Sequence, residues 1–254
     1  MKVPILLPNI FNHPFTYETD LNLKVGDYVV VPFGKSKITG VVWDDFEKKN
    51  TRSFKVKSVL KKLDVLPLKK NTIKFLNWFS EYNIIPKGMA LKLVLLSSNA
   101  VEKLSKETYK NYEAIVKNNS FKLSEEQKKS LKKMNILNQK FRVHVLQGTT
   151  GSGKTMVYFE ALKEIINKGF QGLILLPEIG LTGQFENKFL DFFGFTPAVW
   201  HSGISKKKKE IIWSGVANGD IKVIIGARSS LFLPFKKLGL IIVDEEHDQS
   251  YKQD

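Results

Sequence analysis

The stretch FRVHVLQGTTGSGKT, residues 141–155, decides the fold, because a predicted strand leads there into a glycine-rich loop. Residues 148–155, GTTGSGKT, match the pattern G-x-x-x-x-G-K-[ST] in full. In such loops the backbone N–H groups and the N-terminus of the following helix bind phosphate oxygens. The stretch therefore predicts a strand at 141–147, a nucleotide-binding loop, and a helix that stops at Gly169.

Each position of the loop has a chemical task. Lys154 is expected to reach the β- and γ-phosphates of a nucleoside triphosphate, and the Thr155 hydroxyl is expected to hold Mg²⁺. The residues predicted to contact the nucleotide are Gly148, Thr149, Thr150, Gly151, Ser152, Gly153, Lys154 and Thr155. The motif predicts that a triphosphate is bound, but not how its energy is used.

The pattern after residue 123 is that of an α/β unit. Ser124 and Gln127 form the S-x-x-Q pattern that opens a helix. Further strands are predicted at 172–177, 221–226 and 238–243, with amphipathic helices between them. Runs that are apolar throughout are typical of parallel strands covered by helices on both faces.

The last of these strands ends in VDEEH, where Asp244, Glu245 and His247 form the pattern D-E-x-H. Asp244 is expected to hold Mg²⁺, Glu245 to position the attacking water as a general base, and His247 to couple the nucleotide to neighbouring loops. The alternative is that these carboxylates only solvate a strand end, but the loop upstream favours a site. No guanine-reading N-K-x-D is present, and D-E-x-H is typical of DEAH-type helicases and translocases of superfamily two.

Residues 1–97 have a different sequence pattern from the α/β unit. Short β-branched runs such as YVVVPFG and ITGVVWDDF are broken by glycine and proline, and residues 70–82 place apolar side chains at helical spacing. The sequence predicts a small β-rich domain with helices at its end. The polar stretch 98–122 is predicted to be a linker, and 123–254 a separate P-loop lobe.

The net charge of +15 points to a polyanionic partner, above all nucleic acid. The alternative is a lysine-rich proteome, because nearly all the positive charge comes from lysine. The chain has no cysteine, which excludes disulfides and thiolate metal sites within it and is compatible with a reducing cytoplasm. No apolar run is long enough to predict a transmembrane helix.

Four further stretches carry a resemblance: LLPEIGLTGQ at 175–184, WHSGIS at 200–205, VIIGARSSLFLPFKKLG at 223–239 and VDEEHDQSYKQ at 243–253. In this order they resemble the PriA family, the bacterial primosomal proteins N′ that restart stalled replication forks. FTY at 15–17 and VPFGK at 31–35 are similar to that family's 3′-DNA-end-binding domain. The resemblance implies an ATP- and Mg²⁺-dependent 3′→5′ DNA helicase in the bacterial cytoplasm, with single-strand-binding protein and other primosome proteins as partners.

The resemblance also assigns residues. Gln127 matches an adenine-reading glutamine, although it is equally the partner in the helix cap. Phe15, Tyr17, Gly34 and Lys57 match a pocket for a 3′ end, in which aromatic rings stack on a base and a lysine meets a phosphate. The alternative for these rings is a place in the core. The residues that match a single-strand track are Glu178, Thr182, His201, Ser202, Arg228 and Ser229.

The chain departs from the family at Thr16, where an acidic residue is common, and the linker is too short for the usual winged-helix domain. The family implies that DQSYKQD, residues 248–254, begins an aromatic-rich loop, and that a second lobe with an arginine finger and a zinc domain follow. We therefore expect the N-terminal part of a helicase, truncated after the DEEH box. The alternatives are a DNA-binding fragment without catalysis and an unrelated P-loop ATPase.

Overall fold

A computed structural model describes residues 1–44, 56–95, 101–102, 122–137, 141–177 and 183–251. The strands are β1 (Lys2–Leu6), β2 (Phe15–Glu18), β3 (Tyr28–Phe33), β4 (Ser36–Val42), β5 (Lys61–Lys62), β6 (Gln171–Leu175), β7 (Ala198–Trp200), β8 (Val223–Gly226) and β9 (Leu238–Val243). The α-helices are α1 (Lys70–Tyr82), α2 (Lys87–Leu95), α3 (Glu125–Met134), α4 (Lys154–Asn167), α5 (Gly183–Phe193) and α6 (Lys206–Asn218).

The chain divides into two compact units. The first consists of Met1–Thr108, Lys206–Asn218 and Phe232–Pro234, and the second consists of Tyr109–Ser205, Gly219–Leu231 and Phe235–Asp254. Helix α6 thus groups with the first unit, although the sequence placed it in the lobe 123–254. The boundaries 1–97, 98–122 and 123–254 remain a prediction, and most of the predicted linker lies outside the described residues.

The first unit is built on an antiparallel sheet in the order β2-β1-β4-β3-β5. A two-residue loop, Gly34–Lys35, joins β3 to β4, and Gly34 has a φ of 59°. A positive φ at the first loop position is a conformation that glycine adopts without steric cost. The buried face of the sheet carries the branched residues Val3, Ile5, Val29 and Val31. The predicted β-rich fold of this part of the chain is therefore confirmed.

Helix α6 is fixed in the first unit by Trp213, whose ring is fully buried. Its indole N–H donates to the Val94 carbonyl at 2.7 Å, and the ring meets Tyr28 edge-on at 6.1 Å between centroids. A buried indole needs such a hydrogen-bond partner, because an unpaired N–H in the core costs about 1–3 kcal/mol. Trp213 therefore both fills the core of the first unit and satisfies its only polar group.

The second unit contains a parallel sheet in the order β7-β8-β6-β9. Every residue of β6 is buried, and the run from Gly172 onward is apolar, as expected for a parallel strand covered on both faces. Aromatic rings on α4 and α5 cover the sheet, and Phe159, Phe189 and Phe193 form a closely packed group within 5.6 Å between centroids. The α/β class predicted for this part is confirmed. All helices in the described ranges are too short or too polar to span a lipid bilayer.

One predicted strand is wrong. Residues 141–147 have no regular secondary structure, and Phe141, Val143 and Val145 are 93%, 77% and 89% exposed. Within the described ranges β9 pairs only with β6, and no strand pairs with 141–147. A strand needs a partner for its N–H and C=O groups, so an apolar alternation alone does not form one.

Candidate functional site

The glycine-rich loop forms a compact turn before α4. Gly151 and Gly153 have φ angles of 80° and 82°, a left-handed conformation that favours glycine. The Ser152 N–H donates to the Thr149 carbonyl at 3.2 Å. The Lys154 ammonium donates to the carbonyls of Gly148 at 2.7 Å and Thr149 at 3.1 Å. Lys154 thus lies along the loop that is predicted to bind the phosphates of the nucleotide.

Gln127 lies against this loop. Its side-chain amide donates to the Ser152 carbonyl at 3.1 Å. The same side chain accepts from the Ser124 N–H, while the Ser124 hydroxyl accepts from the Gln127 N–H, so the predicted capping box is confirmed. A Cβ at Gly153 would lie 2.4 Å from the Gln127 amide nitrogen and would displace that side chain, and the φ of 82° itself favours glycine there. One side chain therefore both caps α3 and supports the loop.

Asp244 directly follows β9, and three donors hold it. The Tyr158 hydroxyl, on α4, donates to the Asp244 Oδ2 at 2.7 Å. The Glu245 N–H donates to Oδ1 at 3.1 Å, and the Tyr251 hydroxyl donates to the Asp244 backbone carbonyl at 3.0 Å. The bond from Tyr158 joins the helix that begins at Lys154 to the acidic strand end. The two predicted halves of the nucleotide site are therefore brought together.

Glu245 has a φ of 49°, in the left-handed region that glutamate rarely adopts. Such a conformation costs about 1–2 kcal/mol, and strain of this kind concentrates at functional positions. The exposed Glu245 carboxylate lies 3.5 Å from the His247 Nε2. The pattern D-E-x-H therefore forms a tight turn that holds Glu245 and His247 together at the strand end.

Burial raises the pKa of the two tyrosines that hold Asp244. It raises the pKa of Tyr158 far above its ordinary value, and the negative charge of Asp244 adds to the effect. Burial also raises the pKa of Tyr251, with Asp244 again contributing. Both phenols are therefore protonated at neutral pH and can donate their hydrogen bonds. A bond from Ser250 lowers the pKa of Asp248, which keeps that carboxylate ionised.

Thr155 and Asp244 supply a hydroxyl and a carboxylate, the hard oxygen donors that Mg²⁺ prefers. Tyr158 connects them, since its hydroxyl bonds to Asp244 and also interacts with the Thr155 side chain one turn earlier on α4. Across the described ranges no group of three or more His, Cys, Asp or Glu side chains could hold a metal by itself. The oxygen donors of Thr155 and Asp244 fit a magnesium ion.

Four residues predicted to follow single-stranded DNA lie at one edge of the parallel sheet. His201 and Ser202 follow β7, and Arg228 and Ser229 follow β8, its hydrogen-bonded neighbour. Arg228, Ser202 and Ser229 are exposed. Asp244 follows β9 at the same edge, because the strands of this sheet are parallel. Ligands of such sheets bind outside the carboxyl ends of the strands. Glu178 and Thr182 lie outside the described residues.

The predicted DNA-end pocket lies at one end of the antiparallel sheet. The Lys57 ammonium approaches the Gly34 carbonyl at 3.4 Å, and the Lys57 carbonyl accepts from the Glu18 N–H at 3.0 Å in β2. Phe15, also in β2, contacts Phe33, the neighbour of Gly34, at 5.4 Å between ring centroids. The fold thus brings together residues far apart in the sequence.

Tyr17 does not have the environment that base stacking requires. Its side chain is only 4% exposed, and its hydroxyl donates to the Pro32 carbonyl at 3.1 Å. Phe15 and Tyr17 are two residues apart in β2, so both rings lie on the same face of the sheet; Tyr17 is buried in the core cluster there, and the half-buried Phe15 packs at its edge. The ring available to a base is that of Phe15, and Tyr17 instead connects β2 to the end of β3 through the core.

Several residues at both sites were not predicted from the sequence. Phe11 and His13 surround Phe15, with centroids 5.3 Å and 5.1 Å from its ring. The clustering of aromatic residues at 11–15 is a signal that was available for them. Tyr158 could have been found from its spacing, three residues after Thr155 on one helix face. Nothing in the local sequence predicts that Tyr251 returns to the Asp244 carbonyl.

Two family models cover the chain. A model described as 3′ DNA-binding domain (3′BD) matches residues 2–96. A model described as type III restriction enzyme, res subunit, matches residues 97–253, which is more than half of the chain. The first covers the candidate DNA-end pocket, and the second covers the nucleotide site.

Curated relatives agree with both models. The replication restart protein PriA of Rickettsia conorii is 41% identical over 256 residues, which cover 98% of this chain and 38% of the relative. PriA of Rickettsia prowazekii is 42% identical with the same coverage, and PriA of Haemophilus influenzae is 27% identical over 100% of this chain and 44% of its own length. The chain thus spans less than half the length of these relatives. It belongs to the PriA family of replication restart proteins and matches their N-terminal part, a 3′ DNA-binding domain followed by a helicase domain.

Proposed function

We propose that this chain is the N-terminal part of an ATP-dependent 3′→5′ DNA helicase that recognises stalled or abandoned forks and restarts replication through primosome assembly in the bacterial cytoplasm. The observation that carries the proposal is the 2.7 Å bond between Tyr158 and Asp244, which unites the phosphate loop with the acidic strand end. The neighbouring match to a 3′ DNA-binding domain supplies the substrate class.

The nucleotide site has a division of roles. The loop 148–153 and Lys154 bind the phosphates, Gln127 supports the loop and reads the adenine, and Thr155 and Asp244 hold the magnesium ion. Magnesium neutralises charge that develops on the transferred phosphoryl group. Glu245 orients the attacking water. The His247 Nε2 lies 3.5 Å from the Glu245 carboxylate, and His247 links the site to the DNA-facing edge of the sheet.

DNA is proposed to contact both units. Phe15 stacks on the last base of a 3′ end, Lys57 meets its phosphate, and Gly34 lets the backbone approach the terminal sugar. Tyr17 supports this pocket from the core. The single-strand track runs along the sheet edge and includes Glu178, Thr182, His201, Ser202, Arg228 and Ser229. Single-strand-binding protein, other primosome proteins and a zinc-binding part belong to the whole protein in this proposal.

The first experiment measures nucleotide binding and ATP hydrolysis by the 254-residue polypeptide, with and without single-stranded DNA. We expect magnesium-dependent ATP binding but slow turnover, because an arginine supplied by a second lobe contributes about 10³–10⁵ to the rate of such enzymes. Fast, DNA-stimulated turnover would contradict the division of the active site between two lobes. No nucleotide binding at all would contradict the site itself.

The second candidate function is a DNA-binding fragment without catalysis. The 3′ DNA-binding match, the net charge of +15 and the 38% coverage of the R. conorii relative favour it. Salt titration of single-strand binding tests the electrostatic part, because the log–log slope is roughly −0.7 per neutralised phosphate. A flat salt response would support the lysine-rich proteome as the source of the charge.

The DNA-end pocket is tested by competition between forks with a 3′-hydroxyl and forks with a 3′-phosphate. We expect a preference for the hydroxyl, because a terminal phosphate adds bulk and charge. Phe15→Ala should reduce that preference, since stacking is worth about 1–3 kcal/mol per base. The matched control is Phe170→Ala, which shortens another partly exposed ring, 40% exposed, outside the pocket. Equal binding of both forks by the unaltered chain would exclude an end-reading pocket.

A further inference from the structure

The Asp244 carboxylate needs a hydrogen-bond partner that fixes its orientation. Asp244 follows a strand, β9, that has one strand neighbour in the described part of the sheet and whose side chains are half exposed. A carboxylate in that position can rotate and exchange partners with water. Metal-ligating carboxylates are usually held by a further hydrogen bond, and loss of that bond typically lowers metal affinity by about 10–100-fold.

Tyr158 is placed to provide this bond. It lies one turn after Thr155 on α4, so both side chains share a helix face near the start of the helix. Its ring is 7% exposed and packs edge-on against Phe159 at 5.3 Å between centroids. Since the ring belongs to the main apolar cluster of the second unit, its direction is set by core packing. Only the hydroxyl reaches the site.

The donor and acceptor roles are also defined. The phenol O–H is a donor, and an aspartate can accept at both oxygens. Tyr158 takes one position on Oδ2, and the Glu245 N–H takes one on Oδ1. Each oxygen keeps a further lone pair, so the two bonds fix the plane of the carboxylate and leave it able to bind a cation.

We infer that Tyr158 is a positioning residue: its hydroxyl orients the Asp244 carboxylate toward the magnesium ion of the bound nucleotide. This inference rests on the proposed nucleotide site and adds a residue that the loop and strand-end motifs do not contain. The competing explanation is mechanical, with Tyr158 merely joining α4 to β9. The two explanations differ in one observable, the magnesium concentration that nucleotide binding requires.

The test uses Tyr158→Phe in the 254-residue chain, which keeps the ring and removes the hydroxyl. A fluorescent N-methylanthraniloyl-ATP is titrated at a series of magnesium concentrations and again in excess EDTA. We expect the magnesium concentration for half-maximal binding to rise about 10-fold, with EDTA-resistant affinity unchanged. Tyr28→Phe is the matched control, because Tyr28 is also buried and lies in the first unit.

The possible outcomes are distinct. An unchanged magnesium requirement in Tyr158→Phe, with or without a lower Tm, would overturn the inference in favour of the mechanical explanation. An equal shift in Tyr28→Phe would also overturn it, because the effect would then be general. If the unaltered chain binds nucleotide without any magnesium dependence, the proposed site itself fails and the inference fails with it.

Discussion

The candidate nucleotide site and the candidate DNA-end pocket are built in opposite ways. The nucleotide site lies on a loop and at a strand end, where Lys154 and Glu245 are held largely by backbone groups and local turns. The DNA-end pocket lies on one face of an antiparallel sheet, where Tyr17 is buried in the core and Phe15 packs half-buried at its edge. In the nucleotide site the functional residues can be changed with little effect on folding stability. In the DNA-end pocket the same residues serve both function and stability.

Substitutions at the two sites are therefore expected to differ in their effects. A change on the loop can remove function while the free energy of unfolding stays the same. A change in β2 alters both, unless the residue faces outward. The burial of Tyr17 at 4% decides which of these cases applies to it. Folding stability and function must therefore be measured together at each site.

The largest expected effect is on stability. Tyr17→Ala should lower the free energy of unfolding by about 3–5 kcal/mol, as is typical when a large buried aromatic side chain is truncated. Tyr17→Phe keeps the ring and loses only the bond to the Pro32 carbonyl, so it should cost about 1 kcal/mol. Urea unfolding measures both. A stable Tyr17→Ala variant that loses only its DNA-end preference would restore the stacking role.

The opposite pattern is expected at the loop. In the whole protein, Lys154→Ala should lower DNA-dependent ATP hydrolysis by about 10²–10³-fold, near 3 kcal/mol, because Lys154 contacts charge that develops in the transition state. DNA affinity and Tm should not change. Lys128→Ala is the control, since Lys128 is an exposed lysine paired with Glu125 on α3. Near-normal hydrolysis by Lys154→Ala would show that the loop is not catalytic.

Much of the nucleotide site is readable from sequence because its residues are contiguous. The loop 148–155, the cap formed by Ser124 and Gln127, and the strand that ends at Val243 all depend on local chemistry. Glycine and capping preferences act over a few residues, so pattern and structure agree there.

The rest depends on distant partners. The strand expected at 141–147 requires a neighbour to pair with, and alternation of apolar residues says nothing about whether one is present. The burial of Tyr17 depends on which face of β2 meets the core, and the bond from Tyr158 to Asp244 spans 86 residues. The grouping of α6 with the first unit follows from Trp213. The sequence predicts that Trp213 is a buried helical residue, but not which unit buries it.

A smaller effect tests whether a residue of the nucleotide site changes the free energy of unfolding. Glu245 has a left-handed backbone conformation, so Glu245→Gly should raise the free energy of unfolding by about 0.5–1 kcal/mol, the strain relieved less the entropy cost of glycine. The same change should abolish hydrolysis in the whole protein. Glu245→Ala removes the carboxylate but keeps the strain, so it should not stabilise. Destabilisation by Glu245→Gly would mean that the turn is not strained.

The smallest expected effect concerns Glu164, a half-buried residue on α4 in the same unit as the nucleotide site. Burial raises the pKa of Glu164, and repulsion from Glu160 adds to the shift. The folded state therefore binds the proton more tightly than the unfolded state, so stability falls as pH rises through the range between the unfolded and folded pKa values. Below about pH 4 both states are protonated and the penalty is absent.

Glu164→Gln should consequently raise Tm at pH 7, on the order of 1 °C, and leave it unchanged at a pH below the unfolded pKa. Glu160→Gln removes the repulsion but also the ion pair between Glu160 and Lys163 at 3.6 Å, so it should raise Tm less than Glu164→Gln does. Thermal unfolding at both pH values measures the difference. If Glu164→Gln lowers Tm at pH 7, the ionised carboxylate stabilises α4 through a favourable partner, and its charge is then part of what holds the helix that carries Lys154, Thr155 and Tyr158.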